Sequence, residues 1–157
     1  MKITLKDGSS KEYAQAMSIY DIALDISEGL ARMACAGEVD GKVEDLRTVI
    51  DQDCHLNILT ANDPEGLKVV RHTASHVLAE AVKRLFPEAK VTIGPAIEDG
   101  FYYDFDARPF SREDLDKLEA EMKKIIKEGH KLERFTLPRK EAIQYMKDKG
   151  EPYKVEL

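Results

Sequence analysis

The segment from Gly66 to Phe86, the most informative stretch of the chain, reads GLKVVRHTASHVLAEAVKRLF. Leu67, Val70, Ala74, Val77, Leu78, Ala81 and Leu85 fall on the i, i+3, i+4, i+7 positions of one helix face. At about 100° per residue the stripe takes up roughly a third of the circumference, the signature of an amphipathic helix lying on a core. His72 and His76 are four residues apart on a second face, opposite the stripe. That placement predicts that they point to water or into a cleft and are not packed core histidines.

With 157 residues the chain has room for one ordinary domain or two small ones. The pattern before the helix favours two. Met1, Ile3 and Leu5 alternate with polar residues as in a half-buried strand, Asp7-Gly8 marks a turn, and Lys11 to Ala14 supplies a returning strand. Ser18 and Asp21 have the spacing of a helix start, Ile19, Ile22, Ala23 and Ile26 form its inner face, and Gly29 is placed to end it. Met33 to Ala36, Val39 and a tight Asp40-Gly41 turn lead to Val43 and Leu46, and a last strand runs through Leu56, Ile58 and Leu59. The run Thr60-Ala61-Asn62-Asp63-Pro64-Glu65-Gly66 reads as the joint, giving domains over 1–61 and 62–157.

After the histidine helix, residues 90–97 and 101–106 predict a hairpin around Asp99-Gly100. Phe101, Tyr103 and Phe105 share one face of it, and Tyr102, Asp104 and Asp106 the other. Gly94-Pro95 interrupts the first strand, as expected of an edge, a bulge or a close backbone approach to a ligand. Ser111 to Asp114 is a capping box for a helix with Leu115, Leu118, Met122, Ile125 and Ile126 inward and Gly129 at its end. Pro138 starts a further helix with Ala142, Tyr145 and Met146 inward, closed by Gly150. Residues 153–157 read as a strand that is cut off, which points to a fragment of a longer protein.

The chemistry these features allow is limited. The net charge of −6 gives no general attraction for nucleic acid, so any RNA contact must come from a local basic patch. Lys123-Lys124 and Arg139-Lys140 sit among acidic residues and read as solvated helix faces. No apolar run of about 18 residues is present, so no membrane span is expected. Cys35 and Cys54 have no zinc spacing and form no disulfide framework, and with no apolar signal region at the start the chain reads as cytoplasmic. His-x-x-x-His on a helix is a metal-ligand spacing, but residue 73 is Thr where the zincin form needs Glu. There is no phosphate-binding glycine loop and no nucleophile elbow.

Arg71-His72-Thr73-Ala74-Ser75-His76-Val77-Leu78, followed by Ile93-Gly94-Pro95-Ala96-Ile97-Glu98-Asp99-Gly100-Phe101-Tyr102-Tyr103-Asp104-Phe105-Asp106, strongly resembles the N-terminal region of the bacterial threonyl-tRNA synthetases. The resemblance covers essentially the whole chain. It implies an α+β fold: a ubiquitin-like β-grasp (TGS) domain, then the first part of the editing domain that hydrolyses tRNA(Thr) wrongly charged with serine. The editing site of that family combines a His-x-x-x-His pair with a later Cys-x-x-x-His. His72 and His76 match the first pair, Lys154 matches a lysine of the site, and Tyr103, with Gly94 and Pro95, is placed to line it. No Cys-x-x-x-His follows before Leu157, and Cys35 and Cys54 lie in the other domain. The resemblance therefore implies half of an editing site, inactive by itself. It also implies that ATP, Mg and Zn belong only to a catalytic domain absent here, with no cofactor in this region, and that the parent enzyme is a homodimer through that domain. The acceptor end of tRNA(Thr) is the expected partner, and no membrane is involved.

Editing has a physical motive. Serine lacks one methyl of threonine, and a pocket for threonine rejects it by only about 1–3 kcal/mol, so fidelity needs a second, hydrolytic site. A histidine near neutrality accepts or positions a water proton, and a lysine steadies developing negative charge or holds the terminal ribose. His72 is the residue expected nearest the substrate and His76 its partner, with water activated without metal; zinc held by the complete four-residue set is the other chemistry. Two further readings stand beside this one. The chain is a non-catalytic TGS-type module that binds RNA or nucleotides, or it is a free-standing editing protein, which the missing second pair disfavours.

Overall fold

The computed structural model describes residues 1–156. By internal contacts the chain divides into two compact units, Met1–Arg71 and His72–Leu157. The first contains β1 (Lys2–Leu5), β2 (Ser10–Glu12), β3 (Met17–Ser18), α1 (Ile19–Ile26), α2 (Glu28–Met33), β4 (Ala34–Val39), β5 (Lys42–Glu44), β6 (Val49–Ile50) and β7 (Cys54–Thr60). Five strands form one sheet in the order β2-β1-β7-β4-β5, with the central β1–β7 pair parallel and the other pairs antiparallel. Alternation along β1 and β7 sends Ile3, Cys54 and Leu56 to one face, where Ile19 and Ile22 of α1 cover them and Ile50 closes the core. One helix across a mixed sheet is the β-grasp arrangement.

The local signals act where the sequence puts them. The Ser18 hydroxyl accepts from the Asp21 backbone N–H and so caps α1. Asp40 and Gly41 take positive φ values of 48° and 85°, the geometry of a two-residue hairpin turn, and β4 returns as β5. Gly29 does not end α1. Ser27 does, and its hydroxyl also accepts from the Leu30 N–H to open α2, which contains Gly29. An extended serine between two short helices caps both, so no glycine is needed.

α3 (Pro64–Leu85) is one continuous helix through the point of division. Beyond it lie β8 (Lys90–Val91), β9 (Ala96–Ile97), β10 (Gly100–Phe101), β11 (Phe105–Asp106), α4 (Arg112–Glu128), α5 (Arg139–Asp148) and α6 (Pro152–Glu156). The expected hairpin forms as two short ladders, β9–β10 and β8–β11, broken between them at Gly94-Pro95. Ala81 and Val82 of α3 pack with Ala89 and with Leu118 and Ile125 of α4 to make the second core.

Several inward faces differ from expectation. The buried face of α3 is Ser75, Ala79, Ala81 and Val82, whereas Val70 and Leu85 are exposed. In α4, Leu118 and Ile125 are buried, but Leu115 and Ile126 are 55% and 65% exposed. On α5 no residue is buried, and Tyr145 is exposed. The expected strand from Tyr153 is the helix α6, with Leu157 outside the described residues. Pro152 at the first helical position favours that outcome, because its ring sets the helical φ and its missing N–H would have no partner there. No helix among the described residues is long and apolar enough to cross a membrane.

Candidate functional site

α3 carries His72, Ser75 and His76 within about one turn. Ser75 is completely buried. Its hydroxyl lies 2.7 Å from the His72 carbonyl oxygen and 2.8 Å from that of Gly94, and donates to one or the other. A polar residue thus occupies the buried face because it ties the helix to the break between β8 and β9. Both imidazoles are exposed and lie together along one edge of that face. They border the packed side of α3; they are not opposite it.

The Nε2 atoms of His72 and His76 are 3.1 Å apart, and the rings meet edge to face at 87°. At that distance one nitrogen donates and the other accepts. The contact survives with one added proton, but a second would set two N–H groups against each other. Partial burial lowers the pKa of His76, and the charges of His72 and Lys154 lower it further. His76 therefore stays neutral at lower pH than a free histidine does.

Gly94 is fixed by what faces it. A Cβ there would fall 2.1 Å from Cδ2 of Tyr103, so only glycine lets the backbone lie on that ring. Tyr103 stacks on Phe105 with ring centroids 4.7 Å apart, and burial, then the Glu151 carboxylate, raises its pKa. Lys154 enters from α6, and its ammonium donates to the Thr92 carbonyl at 2.5 Å, leaving two of its three donors for other partners. His72, His76, Gly94, Tyr103 and Lys154 are thereby linked through Ser75, Thr92 and Glu151. Pro95 follows Gly94 in the break. Cys35 and Cys54 are in the first unit as free thiols, both with pKa raised, chiefly by burial.

Sequence reasoning missed Ser75, Thr92 and Glu151. Among the described residues no three His, Cys, Asp or Glu side chains converge as a metal site. Two imidazoles fall short of the three or four ligands that zinc requires, so the residues present do not make up a zinc centre.

The TGS domain family matches residues 1–60. The whole chain is 63% identical to the threonine–tRNA ligase of Acetivibrio thermocellus over 25% of that protein's length. It is 60% identical to that of Clostridium perfringens over 24%, and 56% identical to that of Caldanaerobacter subterraneus subsp. tengcongensis over 24%. The chain spans about a quarter of the length of the curated relatives it matches. Full-length identity at this level, with a ubiquitin-like β-grasp in its first sixty residues, places the chain with the N-terminal regions of the bacterial threonine–tRNA ligases.

Proposed function

We propose that the second unit holds part of a hydrolytic site for tRNA(Thr) mischarged with serine, within a cytoplasmic enzyme that charges tRNA(Thr) with threonine using ATP. The observation that carries this reading is the His72–His76 contact of 3.1 Å, with the Lys154 charge close enough to His76 to lower its proton affinity. A water held by the pair attacks the ester carbonyl carbon and gives a proton to the free imidazole nitrogen. The tetrahedral centre collapses, the bond to the terminal ribose oxygen breaks, and the same proton passes to that oxygen. Lys154 faces the negative charge that builds on the carbonyl oxygen or holds the ribose. Tyr103 and the Gly94-Pro95 backbone form the wall against which the acceptor end is laid.

No Cys-x-x-x-His occurs in the chain, so the site proposed here is incomplete within it. Cooperating groups lose most of their effect together, and the chain alone is expected to deacylate seryl-tRNA(Thr) far more slowly than an intact ligase that carries it. In that ligase, His72→Ala is expected to lower seryl-tRNA deacylation by about a hundredfold or more and to leave threonine charging intact. Unchanged deacylation in His72→Ala would refute the hydrolytic role.

A further inference from the structure

α6 brings Lys154 to the Thr92 carbonyl, yet none of its described residues is fully buried. It is held by polar ties. The Tyr153 hydroxyl donates to Asp106 at 2.8 Å, and Lys90 donates to the Gly150 carbonyl at 3.0 Å, both at the surface. The Glu151 tie is of a different kind. Its Oε1 is 2.9 Å from Lys83 Nζ, its side chain is only 13% exposed, and its Oε2 is buried with no hydrogen-bond partner among the described residues. Lys83 in turn reaches the carbonyls of Ala89 at 3.1 Å and Pro87 at 3.3 Å, and so is fixed to the end of α3 and the loop after it. The Glu151 carbonyl accepts from the Lys154 N–H at 3.1 Å, which couples the carboxylate's position to the lysine's.

We infer that Glu151 is a positioning residue: its ion pair with Lys83 latches α6 so that the Lys154 ammonium stays on the Thr92 carbonyl. The inference rests on the functional reading only in giving that geometry a purpose. Exposed ties contribute little, whereas a largely buried carboxylate with one partner strongly resists losing it. Among the described residues, the charges that lower the His76 pKa are His72 on its own helix and Lys154 from α6. With the latch open, the Lys154 contribution is lost.

The test is NMR on the 157-residue chain, reading the His76 imidazole titration and the exchange rate of the Lys154 amide. Lys154→Gln removes a repelling cation and raises the His76 midpoint. Glu151→Ala is expected to raise it by at least half as much, to speed Lys154 amide exchange about tenfold, the size of a charged hydrogen bond, and to add nothing in the Lys154→Gln background. Tyr153→Phe, which cuts a surface tie of the same helix, leaves both readouts as they were. The latch is refuted by an unmoved His76 midpoint in either Glu151→Ala or Lys154→Gln, or by a Tyr153→Phe effect as large as that of Glu151→Ala. It is equally refuted by loss of amide protection at Ala81 and Val82 in Glu151→Ala, because the carboxylate would then hold the whole unit. No readout uses seryl-tRNA. Expected NMR behaviour beside a His72→Ala ligase that still deacylates would keep the latch and retire the hydrolytic reading.

Discussion

Gly94 and Tyr103 form a contact in which each limits the other. The ring packs on Phe105, and a new methyl group at Gly94 would fall 2.1 Å from its Cδ2. Gly94→Ala is expected to destabilise the second unit by about 1–3 kcal/mol, the usual cost of overpacking. Because the clash is with one ring, Gly94→Ala combined with Tyr103→Ala should cost clearly less than the sum of the two single changes in urea unfolding. Strict additivity would show that the backbone itself, and not the ring, requires glycine. Ser75 makes the complementary case. Its hydroxyl offers one proton to two carbonyls, and Ser75→Ala is expected to cost about 1 kcal/mol and to loosen the break at Gly94. Local pattern identified His72, His76 and Gly94, because each residue type is unusual where it stands. It did not identify Ser75 or Glu151, whose importance depends on what the rest of the chain brings to them.

The helices show the same division between local and distant causes. The Ser111–Asp114 capping box of α4 forms as its sequence requires, and Gly129 ends the helix in the left-handed region at φ 64°. The inward face of α4 was less legible, since Leu115 and Ile126 fit the helical period as well as Leu118 and Ile125 do. Which of them is buried depends on the direction from which α3 approaches. The α3–α4 pair also carries a charge cluster in which Arg84 binds Glu80, Glu121 and Glu128. Arg84, with help from His130, pulls the Glu128 pKa from 4.5 down to about 2. A carboxylate with a depressed folded pKa adds stability above its unfolded value and loses it as pH falls through the folded one. The parent chain should therefore lose stability between about pH 4.5 and pH 2 through this group, and Arg84→Gln should lose less over the same range. Urea midpoints at pH 5 and pH 3 measure the difference. Equal losses in the two proteins would mean that solvent already screens the cluster.

The two cores are built from different kinds of sequence. The first is Ile3, Ile19, Ile22, Ile50, Cys54 and Leu56, drawn from strands of period two and one capped helix. The second is Ala81, Val82, Ala89, Leu118 and Ile125, drawn mainly from two helices of period 3.6. The change of period near residue 60 was visible in the sequence, and so were the five strands of the main sheet, whereas α2 and the two-residue strands β3 and β6 were not. Within the second unit the short ladders were legible only as an interrupted hairpin, because two-residue strands carry too few side chains to show a period. Cores with no residue in common, each closed by its own elements, are expected to lose structure as separate cooperative units. Ile22→Ala should lower the stability of the first unit by about 2–5 kcal/mol and leave the second near its original midpoint, and Leu118→Ala should do the reverse. Residue-resolved hydrogen exchange in rising urea, followed at Leu56 and at Val82, separates the two events. α3 runs unbroken through the point of division, so it is an element able to couple them. If either substitution lowers protection equally at Leu56 and Val82, the helix transmits unfolding from one core to the other, and the chain is one cooperative unit despite its two cores.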